Sequence, residues 1–214
     1  MPPPLTAATL PRALAELIAR DPHLARIVAE FGPPPLWARE PGFPTLVHII
    51  LEQQVSLASA RAAFDRLLAV ASPLTPERFL ELDDATLKAA GFSRQKSRYG
   101  RELAAAVLSG SLDLDGLHEL DDNAVAAALT SVVGIGRWTA DIYLLMALCR
   151  PDAWPAGDLA LAIAARHALG LVATPSTAEL ASIGEAWHPW RAVAARILWH
   201  FYLSGVVHGD AQKK

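Results

Sequence analysis

The stretch LTSVVGIGRWTADIYLLMAL, Leu129 to Leu148, constrains the fold of this chain more than any other. Apolar residues recur at helical spacing on both sides of Gly134-Ile135-Gly136. After the glycines, Ile142, Leu145, Met146 and Cys149 fall at i, i+3, i+4 and i+7. Two helices must therefore meet across a very short turn, the first ending near Val132 and the second starting around Arg137. A plain turn of this kind needs one glycine, as the left-handed residue that closes the first helix. The second glycine asks for a further reason. It leaves backbone N–H groups bare at the start of the next helix, where an anion can approach closely. Those from Gly134 through Ile135, Gly136 and Arg137 to Trp138 could hold one or two phosphates without reading sequence. Carbonyls on the inner side of the turn could hold a monovalent cation.

The rest of the chain reads as helix after helix. ALAELIAR is followed by a proline-rich turn, FGPPPLWAREPGFP. A long apolar helix then runs from Thr45, a plausible N-cap, to Val70. TPERFLEL and DDATLKAAG are short helices with acidic starts, the second closed by Gly91, and SRQKSRYGRELAAAVLSG is closed by Gly110. DDNAVAAALTSVV leads into the Gly-Ile-Gly turn. Two further helices lie around LALAIAARHAL and HPWRAVAARILWHFYL, where Val193, Ile197 and Phe201 share one face and Ala192, Ala195, Trp199 and Tyr202 another. GLVAT reads as loop and GDAQKK as a frayed tail. No alternating strand pattern bounded by hairpin turns is present. The expected fold class is all-α.

Bulk properties narrow the setting. The 214 residues suit one domain or two small lobes, with 52% hydrophobic residues for a core. No apolar run is long and uncharged enough to span a bilayer, and the opening segment does not read as a signal peptide. A soluble, cytoplasmic protein is expected. The single cysteine, Cys149, excludes an internal disulfide and any cysteine-based zinc or iron–sulfur site. The net charge of −3 argues against a globally basic nucleic-acid binder. Charge is uneven, however: Arg94, Lys96, Arg98 and Arg101 cluster without an acid among them, while acids collect in ELDDAT and LDLDGLHELDDN.

Past the hairpin, Asp158 follows Gly157 and opens an apolar helix; local pattern alone makes it an N-cap. Taken in series, L-x-x-V-x-G-I-G-x-W-T-A, the aspartate in DAWPAGD, the closing W-x-P-W-R helix and ILEQQVS (Ile50 to Ser56) resemble the helix-hairpin-helix (HhH-GPD) DNA glycosylases. The similarity is to the 3-methyladenine DNA glycosylase II (AlkA) type and covers roughly Phe43 to Tyr202. It implies two all-α lobes with a cleft between them, approximately 45–150 bearing the hairpin and 1–44 with 151–214 forming the second. It also implies that Asp158 is the catalytic carboxylate, that Trp138 and Trp199 wall the base pocket, and that Gln54 is the wedge filling the gap left by an extruded base. The Gly134–Gly136 turn would anchor the strand, and the carbonyls of Thr130, Val132 and Ile135 would hold Na⁺ or K⁺. Larger AlkA-type enzymes carry an N-terminal β-containing domain for which this length leaves no room. Trp37 or Phe43 is then expected to replace its aromatic pocket residues. The wedge is apolar in some relatives; here it is Gln54, with Gln53 and Gln54 as ordinary helix-surface residues the alternative.

The chemistry implied is release of an alkylated, cationic base from double-stranded DNA. Such a base leaves without the second carboxyl that glycosidases usually need, so one carboxylate suffices. Indole faces attract an electron-poor base by about 0.5–2 kcal/mol each. Bifunctional relatives carry a nucleophilic lysine where this chain has Trp138, and the endonuclease III branch has four cysteines that are absent here. The reading is thus a monofunctional enzyme without lyase activity, cofactor or iron–sulfur cluster, and nothing requires more than a monomer. Three rivals stand beside it: the same fold acting on uracil, mismatches or oxidised purines; a non-catalytic hairpin module that binds DNA; and an unrelated all-α interaction protein.

Overall fold

The structure, a computed structural model, describes residues 3–205. In chain order the first six helices are α1 (Leu10–Ile18), α2 (Pro22–Phe31), α3 (Phe43–Glu52), α4 (Leu57–Val70), α5 (Pro76–Glu81) and α6 (Asp84–Ala90). Then come α7 (Arg94–Leu108), α8 (Asp122–Thr130), α9 (Arg137–Met146), α10 (Leu159–Leu169), α11 (Thr177–Gly184) and α12 (Arg191–Leu203), with short 3₁₀ turns before α8 and α12. The described residues contain no strand, and the chain is all-α. None of these helices is long and apolar enough to cross a membrane. The expected frayed tail, GDAQKK, lies outside the described residues.

The chain forms two compact units, residues 39–148 and residues 1–38 with 149–214. In the unit of residues 39–148, α3 is the core element: Leu46, Val47, Ile49 and Ile50 are fully buried, and the helix packs on α4, α7 and α9. Phe79 joins Phe43 and Phe92 in an aromatic cluster with centroids 5.9 and 5.8 Å apart. Side-chain caps start most helices. Asp83 accepts from Thr86 N and Asp121 from Asn123 and Ala124 N, and Gly91 closes α6 in the left-handed region.

In the other unit, α12 is buried on nearly every side, from Ala192 to Trp199 and at Phe201. A helix without an exposed face must be surrounded, and α12 packs against α1, α2 and α10. Alanines are buried on both of the helices that pack here, Ala192, Ala194 and Ala195 on α12 and Ala162, Ala164 and Ala165 on α10, and their small side chains suit close packing. Trp154 and Trp187 meet edge to face at 5.3 Å and are core residues of this unit.

Three expectations need correction. The apolar run from Thr45 to Val70 is two helices, because Gln54 takes a positive φ of 57° and breaks it after Glu52. Gly42, not Thr45, precedes the first turn of α3; the Thr45 hydroxyl donates back to Glu40 O at 2.6 Å. Cys149 falls beyond α9, with a φ of 49°, so it does not extend that helix's apolar face. In addition, α11 lies between the two C-terminal helices read from the sequence, started by a capping box of Ser176 and Glu179.

Candidate DNA-binding and base-release site

The Gly-Ile-Gly turn joins α8 to α9, which pack on each other. Gly134 has a φ of +93°, and the Tyr99 ring of α7 lies directly over it. Ile135 N donates to Val132 O at 3.1 Å, which folds the turn tightly. The N–H groups of Gly134, Gly136 and Arg137 have no backbone or side-chain acceptor among the described residues. Gly136 and Arg137 are exposed, so two of these donors sit at the open start of α9, where the helix dipole adds to their pull on an anion. The Arg137 side chain bonds Asp141 at 2.8 Å while staying largely solvent-exposed. Trp138, the next residue, is half-buried on the first turn of α9. On the inner side, the carbonyls of Thr130 and Ile135 accept no bond from a described residue, and that of Val132 accepts one.

Gln54 is exposed on the short link between α3 and α4, flanked by exposed Val55 and Leu57. Its neighbour Gln53 is bonded to the hairpin, so Gln53 is half-buried and Gln54 is exposed. Lys96, part of the basic cluster in the sequence, donates to Leu51 O at 2.7 Å at the end of α3, and burial holds its ammonium below the usual range. Arg101 is likewise committed, to Asp84 and to Leu82 O.

Asp158, in the other unit, is the N-cap of α10: its Oδ1 accepts from Leu161 N at 2.7 Å. The same oxygen accepts from the indole N–H of Trp199 at 3.1 Å. The cap and the chemical reading of this residue are therefore compatible. Residues 151–157, which lead to Asp158, are clamped to the start of α12, which carries Trp199. Asp152 takes Nε and Nη2 of Arg191 at 3.0 and 2.6 Å, and Ala192 N donates to Pro151 O. Trp37 has a φ of 49° and lies 6.4 Å from the ring of His200, the residue after Trp199. Arg196, fully buried, donates from Nε to Leu36 O at 2.7 Å and so fixes the backbone just before Trp37. Burial draws its guanidinium down to about 10. Phe43, the other candidate for the pocket, is 4% exposed and packs on Phe79, so it is a core residue.

The structure thus brings Asp158 and Trp199 into contact and sets Trp37 beside the next residue of α12. In the other unit it gathers the hairpin residues with the root of the Gln54 link. Sequence reasoning missed Tyr99, Arg196 and the Asp152–Arg191 clamp, and it gave Gln53 no part. Gln53 had a local signal in ILEQQVS, and Asp152 and Arg191 had theirs in DAWPAGD and W-x-P-W-R.

A paired-helix turn whose N–H groups find no acceptor among the described residues can bind an anion, and a helix-capping carboxylate bonded to an indole is a fixed negative charge. The chain belongs to the HhH-GPD superfamily of base excision DNA repair proteins, whose model matches residues 47–189. It is 28% identical over 181 residues to DNA-3-methyladenine glycosylase 1 of Schizosaccharomyces pombe, covering 83% of this chain and 79% of that one. Among solved structures it resembles the 3-methyladenine DNA glycosylase Mag1 of S. pombe in complex with abasic DNA. There the TM-score is 0.83 and the identity 28%, over 88% of this chain and 95% of the other. A DNA-3-methyladenine glycosidase from Bacillus halodurans is similar at a TM-score of 0.75 and 30% identity, over 92% and 91% of the two chains.

Proposed function

We propose that this protein is a monofunctional DNA glycosylase that removes alkylated, cationic bases such as 3-methyladenine from double-stranded DNA and leaves an abasic site. The observation that carries the reading is the Asp158 carboxylate, held by Leu161 N and the Trp199 indole on one oxygen. Two donors from different helices fix its orientation before any substrate arrives, so little reorganisation is needed when charge develops. The glycosidic bond breaks toward the base, which takes the electron pair and leaves neutral. Asp158 stabilises the cationic sugar, water adds to C1′, and the water proton passes to solvent. The indole faces offered to an electron-poor base are those of Trp199, beside Asp158, and of Trp37 and Trp138.

The bare N–H groups of the Gly134–Arg137 turn bind the strand through its phosphates, and Gln54 fills the space of the extruded base. The carbonyls of Thr130, Val132 and Ile135 suit Na⁺ or K⁺, two of them having no donor among the described residues. Such an ion, when bound, adds positive charge behind the phosphate site. With Trp138 where a Schiff-base lysine would stand, strand cleavage is not expected.

Incubation of the protein with randomly methylated duplex DNA tests this reading. Chromatography of the released material should show 3-methyladenine, and the product strand should break only after alkali. Absence of any methylated base, with DNA binding intact, would overturn the activity. A nick without alkali, or an adduct trapped by borohydride, would overturn the monofunctional assignment.

Trp199→Phe keeps the aromatic ring and removes the N–H donor to Asp158. A hydrogen bond to a charged group contributes about 1.5–3 kcal/mol. Base release should slow by about tenfold or more in single turnover while DNA affinity holds. An unchanged rate would show that the Trp199–Asp158 bond does not orient the carboxylate for the reaction.

A further inference from the structure

Gln53 makes no contact that the proposed reaction requires, yet its amide reaches across from the end of α3 to the hairpin. Nε2 donates to Gly134 O at 3.0 Å and to Thr139 Oγ1 at 3.0 Å. The first acceptor lies in the phosphate-binding turn, between two of its bare N–H groups in sequence. The second lies in the first turn of α9 and is 1% exposed. A carbonyl can only accept, so the amide nitrogen, not the oxygen, must face Gly134. The next residue, Gln54, is held in the left-handed region, a conformation that costs a non-glycine residue free energy unless its surroundings impose it. Those surroundings are visible. Lys96 Nζ fixes the Leu51 carbonyl ahead of the link, Gln53 ties its root to the hairpin, and Ser56 caps α4 behind it by accepting from Ser59 N.

We propose that Gln53 is a positioning residue that locks the Gln54 link to the Gly134–Gly136 turn, so that strand anchoring and base displacement work as one rigid unit. The proposal rests on the wedge and phosphate roles given above. Its chemical content is specific: two N–H bonds to the turn set where Gln54 stands relative to an anchored phosphate. Without them Gln54 keeps its side chain but loses its fixed starting point. The loss falls on displacing a paired base, not on holding the backbone and not on the carboxylate chemistry.

Gln53→Met, close in shape and without a donor, separates these effects. The first readout needs no catalysis. A duplex with a tetrahydrofuran abasic analogue opposite 2-aminopurine reports insertion into the gap as a fluorescence change. Wild type should give a large change; Gln53→Met should give less than a third of it, while affinity for undamaged duplex stays within twofold. Gln53→Lys, which keeps N–H donors one bond further out, should recover at least half the signal. The second readout is base release from methylated DNA. Gln53→Met should lose about tenfold on duplex and less than threefold on the same single strand, which needs no base extruded from a pair.

A wild-type fluorescence response in Gln53→Met would overturn the proposal. So would equal losses on duplex and single strand, the signature of a general structural defect, which the melting temperature would also show. If wild type releases no base at all but the fluorescence pattern holds, the glycosylase reading fails and the coupling by Gln53 stands.

Discussion

Asp158→Asn should reduce single-turnover base release by about a thousandfold and leave the protein folded and able to bind DNA. Asn serves as an N-cap about as well as Asp, and its amide oxygen can accept from both Leu161 N and the Trp199 indole as Oδ1 now does. Those two bonds therefore survive the change, and the chemistry does not. A full charge about 4 Å from a developing cation, at an effective dielectric near 20, contributes on the order of 4 kcal/mol, which is about three decades of rate. An uncharged amide supplies only a fraction of that. Asp158→Ala is the less informative variant, since losing the cap costs about 1 kcal/mol of stability and mixes the two effects. The measurement pairs a rapid-quench assay on methylated duplex with fluorescence anisotropy on an abasic-analogue duplex. A rate within tenfold of wild type would remove Asp158 from the reaction and leave it as a helix cap.

The carboxylate, the hairpin and the helical class are legible in the sequence because each is written in local residue chemistry. Glycine spacing marks the turn, an aspartate after Gly157 marks a helix start, and 3.6-residue periodicity marks the helices. What binds Asp158 to Trp199 is different in kind. Forty-one residues separate them, and no periodicity relates two helices that meet only in the folded chain. The break at Gln54 was invisible for a related reason. ILEQQVSLASA holds no glycine or proline, so local propensity continues the helix. Contacts from Gln53 and Lys96 to distant parts of the chain override it. The same holds for Lys96 itself, which in sequence belongs to a basic run and in the structure terminates α3. Six tryptophans look alike in a sequence. In the structure Trp154 and Trp187 are core, Trp190 ties to Glu16, and Trp199 serves Asp158.

The two glycines of the turn should differ in what alanine does to stability, because they are glycine for different reasons. A Cβ on Gly134 would lie 2.1 Å from Cγ and 2.6 Å from Cβ of Tyr99. These atoms sit at the root of that side chain, so a rotamer change cannot clear them; α7 or the turn must move. The φ of +93° adds a left-handed penalty of about 1–2 kcal/mol to an overpacking cost of about 1–3 kcal/mol. Gly134→Ala should therefore lose about 2–5 kcal/mol, lower the melting temperature by about 5–15 °C in calorimetry, and weaken DNA binding by displacing the turn. Gly136 has a φ of −90°, and no atom of a described residue lies within 4 Å of the position a Cβ would take. The protein gives no internal reason for glycine there, so the methyl would stand where an approaching phosphate must. Gly136→Ala should melt within 2 °C of wild type and bind duplex DNA about tenfold more weakly. A stable Gly134→Ala would show that Tyr99 does not close the turn. Unimpaired DNA binding by Gly136→Ala would show that phosphate does not approach the start of α9, and the second glycine would lose its explanation.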